Sequence, residues 1–221
     1  MNDLEMNGLG HSGGGAFNEV RLAGIHRIYG EVKCKTFESD GVAKCDDKIT
    51  ADRLSIAGVT KVVDLNVNKI SVEGVLKSSG ALSCESLSLE GYLSTVKSFK
   101  TKKANLMGKF KFRGEVEAEE LVLMVAAKSS FTEVGATQIF VTKVLNDDSW
   151  TKRLNRLFQK NACLFVGQLI EGEEIYLEYC RVQSVFGDHV KIGPYCIINE
   201  VEYKETIDIH PTAVVKHQKR V

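Results

Sequence analysis

Histidine and cysteine are the residues of this 221-residue chain with the widest chemical range, and their spacing limits what they can do. The six cysteines, Cys34, Cys45, Cys84, Cys163, Cys180 and Cys196, form no CxxC pair and no zinc spacing. They read as buried reduced thiols. His26 and His210 lack metal-ligand spacing, and there is no Ser/His/Asp constellation and no phosphate-cradling glycine loop before a helix. No metal and no cofactor are therefore expected. His189 stands apart because FGDHVK, IGPYCI and INEVEY at 186–203 are three successive six-residue units with aliphatic or aromatic leaders. A histidine in such a frame is the natural general base. The sequence shows no carboxylate to orient it, so a surface histidine is the preferred reading.

Phosphate binding is the second chemistry to weigh. Lys97, Lys100, Lys102, Lys103, Lys109, Lys111 and Arg113 lie in 91–114 without one acidic residue. The whole chain nevertheless balances 29 Lys+Arg against 29 Asp+Glu, which recommends neither nucleic acid nor an anionic surface as the main partner. The local run is explained by what surrounds it. Lys100, Lys102 and Lys103 match Glu117, Glu119 and Glu120 one repeat later, and Lys102 matches Glu85 one repeat earlier. Facing charge ladders are expected, and no nucleic acid.

That repeat is the element that positions everything else. Gly24, Gly41, Gly58, Gly74, Gly91 and Gly108 are separated by 17, 17, 16, 17 and 17 residues, and Gly30, Asp47, Asp64, Gly80, Lys97 and Gly114 follow six residues behind them. Both columns have the composition of corners, since glycine relieves a sharp bend and aspartate tolerates left-handed backbone. Between them apolar residues recur at fixed offsets. One column is Val32, Ile49, Leu65, Leu82, Phe99 and Val116; another is Phe37, Leu54, Ile70, Leu87, Ala104 and Leu121; a third is Ile56, Val72, Leu89, Leu106 and Leu123. The alternation within each segment is that of a strand. Short strands bent at corners and stacked in register make a parallel β-helix of about 17-residue coils, right-handed by the general preference of parallel crossovers. The prolines, Pro194 and Pro211, both fall late in the chain. Their earlier absence follows, because proline cannot donate to the next coil.

The organisation expected along the chain is a disordered tail over 1–15, β-helix coils over 16–145, a helical insertion over 146–162, two further coils within 163–209 and a frayed basic tail over 210–221. The insertion rests on Trp150, Leu154, Leu157 and Phe158, spaced as one helical face behind Asp147-Asp148-Ser149 as an N-cap. Cys180 and Cys196 are expected at neighbouring inward positions. The longest notable apolar run, 121–127, is too short to span a bilayer and the polar start has no hydrophobic signal region, so a cytoplasmic location is expected.

The opening GGGAFNEVRLAGIHRIYGEVKCKTF, the recurring glycine coils and the later LIEGEEIYLEYC and VKIGPYCIINEVEY together resemble the bactofilins, especially the larger polymer-forming cytoskeletal members, over about 16–203. The resemblance implies a right-handed triangular β-helix that joins end to end into nonpolar filaments without a nucleotide, sometimes beside membranes or cell-wall enzymes. It carries over no catalytic residue. The expected partner is then the chain itself, with the membrane surface or cell-envelope proteins as further partners, and Phe17, Val20, Leu22 and Val201 as the self-assembly residues. The long C-terminal extension departs from the short members of that group. The 186–203 units also resemble the hexapeptide acyltransferases, where a left-handed coil places a histidine as general base at a subunit interface; the 17-residue spacing of the glycines argues against that family. A non-polymerising interaction scaffold is the remaining alternative.

Overall fold

The computed structural model describes residues 2–144 and 163–221. The expected helix at 149–160 and most of the 146–162 insertion lie outside them. The described residues fold as β1 (Leu4–Ser12), β2 (Gly15–Ala16), β3 (Glu19–Ile28), β4 (Val32–Cys45), β5 (Ile49–Val62), β6 (Leu65–Ser78), β7 (Leu82–Thr95), β8 (Phe99–Phe112), β9 (Glu115–Val125), β10 (Ser129–Ser130), β11 (Glu133–Lys143), β12 (Phe165–Leu177), β13 (Cys180–Ile192), β14 (Ile197–Ile209) and β15 (Val214–Arg220). No helix occurs among the described residues. All strands belong to one sheet whose order follows the chain from β1 to β15, with the two-residue strands β2 and β10 to the side. Each long strand pairs in parallel with the next, so the chain is an all-β parallel solenoid.

The columns read from the sequence are the columns of the sheet. Val32, Ile49, Leu65, Leu82, Phe99 and Val116 stand in consecutive register, as do Phe37, Leu54, Ile70, Leu87, Ala104 and Leu121. These side chains form a single buried core along the solenoid. Aromatic residues fill it where the columns widen: the rings of Phe110 and Phe112 stack at 5.9 Å, and those of Phe131 and Phe165 at 4.2 Å.

The two turn columns differ in kind. The spacers Gly30, Asp47, Asp64, Gly80, Lys97 and Gly114 fall between strands and close each coil. The Asp47 carboxylate accepts from Lys48 N at 2.8 Å, and that of Asp64 from Ala81 N at 2.6 Å. The glycines from Gly24 to Gly108 instead lie inside long strands and bend them at φ between +121° and +140°. Gly41 stacks on Gly24 so closely that a Cβ would fall against the Gly24 carbonyl oxygen, and the same holds up to Gly108 over Gly91. Only glycine meets both conditions.

Three expectations about the ends of the repeat are corrected. Residues 4–12, expected in a disordered tail, form β1, because Leu4 and Met6 continue the columns of Val20 and Leu22 and Gly8 sits beneath Gly24. The fading of the sequence pattern after Met124 does not end the coils: Val134, Ala136, Ile139 and Val141 of β11 stack on Val116, Ala118, Leu121 and Leu123. The expected frayed tail contains β15, in which Val214 and Val215 pair with Ile197 and Ile198, and Arg220 Nε donates to the Lys204 carbonyl at 2.9 Å. The coils after 163 therefore run past 209.

Candidate functional site

Two places can carry function: the ends of the stack and the face that holds His189. At the ends, β1 and β15 each have one neighbour, so each presents a row of backbone donors and acceptors on its other edge. The assembly residues expected from the sequence are not on those edges. Val20 and Leu22 are buried beneath Leu4 and Met6, and Val201 is buried beneath Gln218. Phe17 is half-buried, its N–H donating to the Lys33 carbonyl at 2.8 Å. The apolar residues of the terminal coils are instead Leu4 and Met6 at one end and Ile207, Ile209 and Val215 at the other, all packed against the core yet only partly buried. The signal for the first pair was present: Leu4 precedes Val20, and Gly8 precedes Gly24, by the 16 residues that also separate Gly58 from Gly74. The repeat glycines themselves belong to the scaffold and not to a site.

His189 lies on an exposed face crossed by β9, β11, β12, β13 and β14. Its Nδ1 is 2.9 Å from Thr206 Oγ1, and its Nε2 is 3.8 Å from Glu174 Oε1. The structure thus supplies a carboxylate that the sequence did not announce, because the coil from Glu174 to His189 is only 15 residues long. Beside this row, Val122, Phe140, Tyr176 and Lys191 form an outward column, with the two rings stacked at 4.8 Å and the Lys191 ammonium 5.9 Å from the Tyr176 centroid. An open groove of about 760 Å³ runs between the two rows. Its floor is sheet backbone, whose N–H groups bond to the neighbouring coil. The ring faces are taken by one another and by the residues above and below them, so the column locks register more than it offers a stacking platform. Tyr176 donates to Glu178 Oε1, and that bond, with some desolvation, pushes its hydroxyl up to about 12.

The basic run resolves into ladders. Lys100 pairs with Glu117 at 2.7 Å, Lys103 with Glu120 at 2.6 Å and Lys102 with Glu85 at 3.3 Å. The glutamate hydrogen bonds hold the Lys100 and Lys103 ammonium groups above their ordinary value. The cysteines line the interior. Burial pushes Cys34 and Cys84 up to about 11 and Cys45 up to about 12, and it raises the fully buried Cys180 thiol as well. A thiol so raised is protonated at neutral pH and a poor nucleophile or metal ligand. Cys180 and Cys196 occupy neighbouring coils as free thiols, as their spacing suggested. His26 is buried with Nε2 3.1 Å from the Ala23 carbonyl. His210 lies at an exposed turn, its Nδ1 2.9 Å from Thr212 Oγ1. Among the described residues no three metal-binding side chains converge, and no helix is long and apolar enough to cross a membrane.

No family model matches this chain, and no solved structure matches it. A 93-residue stretch is 29% identical to the uncharacterized protein YhbF of Bacillus subtilis (strain 168), covering 42% of this chain and 35% of that protein. The chain thus matches about a third of the length of that relative.

Proposed function

We propose that the chain is a non-enzymatic structural protein whose solenoids join through their terminal coils into a homopolymer or scaffold of the cytoskeletal kind that the bactofilin resemblance implies. The observation that carries the reading is the parallel register running unbroken to β1 and β15, whose free edges have the same geometry as every internal edge of the stack. An edge of this kind is completed by another strand, and the partner with a matching coil is a second copy. The winding is right-handed on this reading, as parallel crossovers are in nearly all sheets. The site of action is the cytoplasm, with the membrane surface or cell-envelope proteins as accessory partners.

The acyl-transfer alternative has one specific support, the row Thr206, His189 and Glu174. Against it, the His189 Nδ1 is engaged with Thr206 and the groove floor offers no spare backbone donor, because a parallel sheet spends its N–H groups on the adjacent coil. A tetrahedral intermediate there would lack the donors that stabilise its oxyanion.

The test is electron microscopy and sedimentation of the purified chain, beside Met6→Lys and Ile209→Lys, which put a charge at either terminal coil. Filaments in the wild type, shortened in each variant with unchanged far-ultraviolet circular dichroism, support the proposal. A small particle of constant mass in all three would overturn it and favour the non-polymerising scaffold. Acetyl transfer that disappears with His189→Ala would favour the enzyme.

A further inference from the structure

Immediately after the glycine bend, an outward column runs up one side of the solenoid as Leu9, Ile25, Val42, Val59, Val75 and Tyr92 in consecutive register. Outward positions of a solvated sheet face are ordinarily polar. Here Leu9 is 81% exposed, Ile25 56% and Val42 42%, and the three above them are half-buried. Five inter-coil steps give an apolar stripe roughly 24 Å long, and a continuous exposed apolar patch marks a contact surface.

Its flanks indicate what covers it. Two residues beyond the stripe stand Arg27, Lys44, Lys61 and Lys77, one above another. Across the glycines on the other side stand Asp40, Ala57, Glu73 and Glu90. Like charges directly opposite each other in a sheet repel, and each ladder sets them in neighbouring coils: Lys44, Lys61 and Lys77 on one side, Glu73 and Glu90 on the other. Asp46 answers Arg27 at 2.6 Å and Lys44 at 2.8 Å. Lys61, Lys77, Asp40, Glu73 and Glu90 have no ion-pair partner among the described residues. The surface is apolar at its centre, basic along one border and acidic along the other.

We infer that this stripe is a lateral pairing surface for a second copy of the chain, lying side by side and parallel. A two-fold axis along the solenoid sets each stripe against itself and brings the basic border of either copy over the acidic border of the other. At equal height, Lys77 of one copy then faces Glu73 of the other, and Lys44 faces Asp40, each pair lying in the same coil. An antiparallel arrangement would set lysine against lysine. An anionic lipid surface fits less well, because Asp40, Glu73 and Glu90 border the apolar residues that would have to approach it. The contact is isologous, so each substitution in it is met twice. It uses a side of the solenoid and not its ends, and does not depend on end-to-end joining.

Sedimentation velocity and far-ultraviolet circular dichroism on the full chain test the inference. Met6→Lys, with one end disabled, is expected to sediment as a dimer at about 0.1 mM, a concentration at which even a weak interface is populated. Adding Val42→Glu is expected to give a monomer with an unchanged spectrum. Lys77→Glu should weaken pairing roughly tenfold or more, and Glu73→Lys in the same chain should restore it, since each copy then carries the swapped pair. A monomeric Met6→Lys chain, a dimer that survives Val42→Glu, or a double swap that fails to restore pairing would each overturn the inference. So would stripe-dependent binding to phosphatidylserine vesicles with no change of mass in their absence. If end-to-end joining alone fails, the wild type and Met6→Lys sediment alike as dimers and the lateral contact stands.

Discussion

Gly58→Ala should be among the most damaging single-methyl additions to this protein. Gly58 has φ +129°, and a Cβ built on it falls against the carbonyl oxygen of Gly41 in the coil below. Holding a residue with a Cβ in that backbone region costs of order 1 to 3 kcal/mol. Forcing a methyl into filled space beside a backbone atom that cannot rotate away costs another ~1 to 3 kcal/mol. The expected loss is therefore about 2 to 6 kcal/mol, much of the stability of an ordinary domain. Gly135→Ala is the control: its φ is not positive, and the nearest atom to its added Cβ is the Val116 carbonyl oxygen at 3.9 Å. Urea unfolding followed by circular dichroism reads both. Gly135→Ala should stay within ~0.5 kcal/mol of the wild type, whereas Gly58→Ala should lower the midpoint sharply. Since neighbouring coils carry the cooperativity, it should also split the transition or reduce its steepness. A Gly58→Ala chain within ~0.5 kcal/mol of wild type would refute the claim that the glycine ladder is set by backbone contact.

Other outcomes follow from the interior and the surface. Cys34, Cys45 and Cys84 bind their protons more tightly folded than unfolded, so the unfolded state loses protons first as pH rises from about 9; stability should fall between there and about 12, and Cys45→Ala should flatten that decline in a pH series of urea midpoints. In native protein at pH 8, Cys45 and Cys180 should resist a thiol reagent that labels them at once in denaturant. Reversing Lys103 to Glu opposite Glu120 should lower the thermal midpoint slightly at low salt and not at high salt, with Glu120→Lys restoring it.

Most of the fold was legible because each coil repeats the same offsets, and a column of side chains is a direct image of a column in the sheet. Phe37, Leu54 and Ile70 could be stacked on paper because nothing interrupts the period between them. The ladders of Lys100 and Lys103 were legible for the same reason. What escaped did so where the period changes or the composition masks it. In β11, Thr137, Gln138 and Thr142 dilute the pattern, and the distance from Ile139 to Ile175 is more than two coils although the two are neighbours. Glu174 and His189 meet only because one coil is short. The assembly residues were misplaced by a single coil: Val20 and Leu22 were taken as terminal, whereas the glycine-rich opening of the chain supplies one more turn beneath them. The outward stripe was present in the offsets as well, but attention to buried columns passes over exposed ones.

The coil from Ile49 to Leu65 is one residue shorter than its neighbours, yet every column passes through it in phase, because the missing residue is taken from the spacer at Asp64 and not from a strand. Lengthening works by the same rule. An in-frame tandem duplication of one complete coil would extend the rod by about 4.8 Å while leaving both ends unchanged. Rod length is therefore a quantity that selection can adjust in even steps, independently of whatever the ends and sides bind, as graduations are added to a ruler.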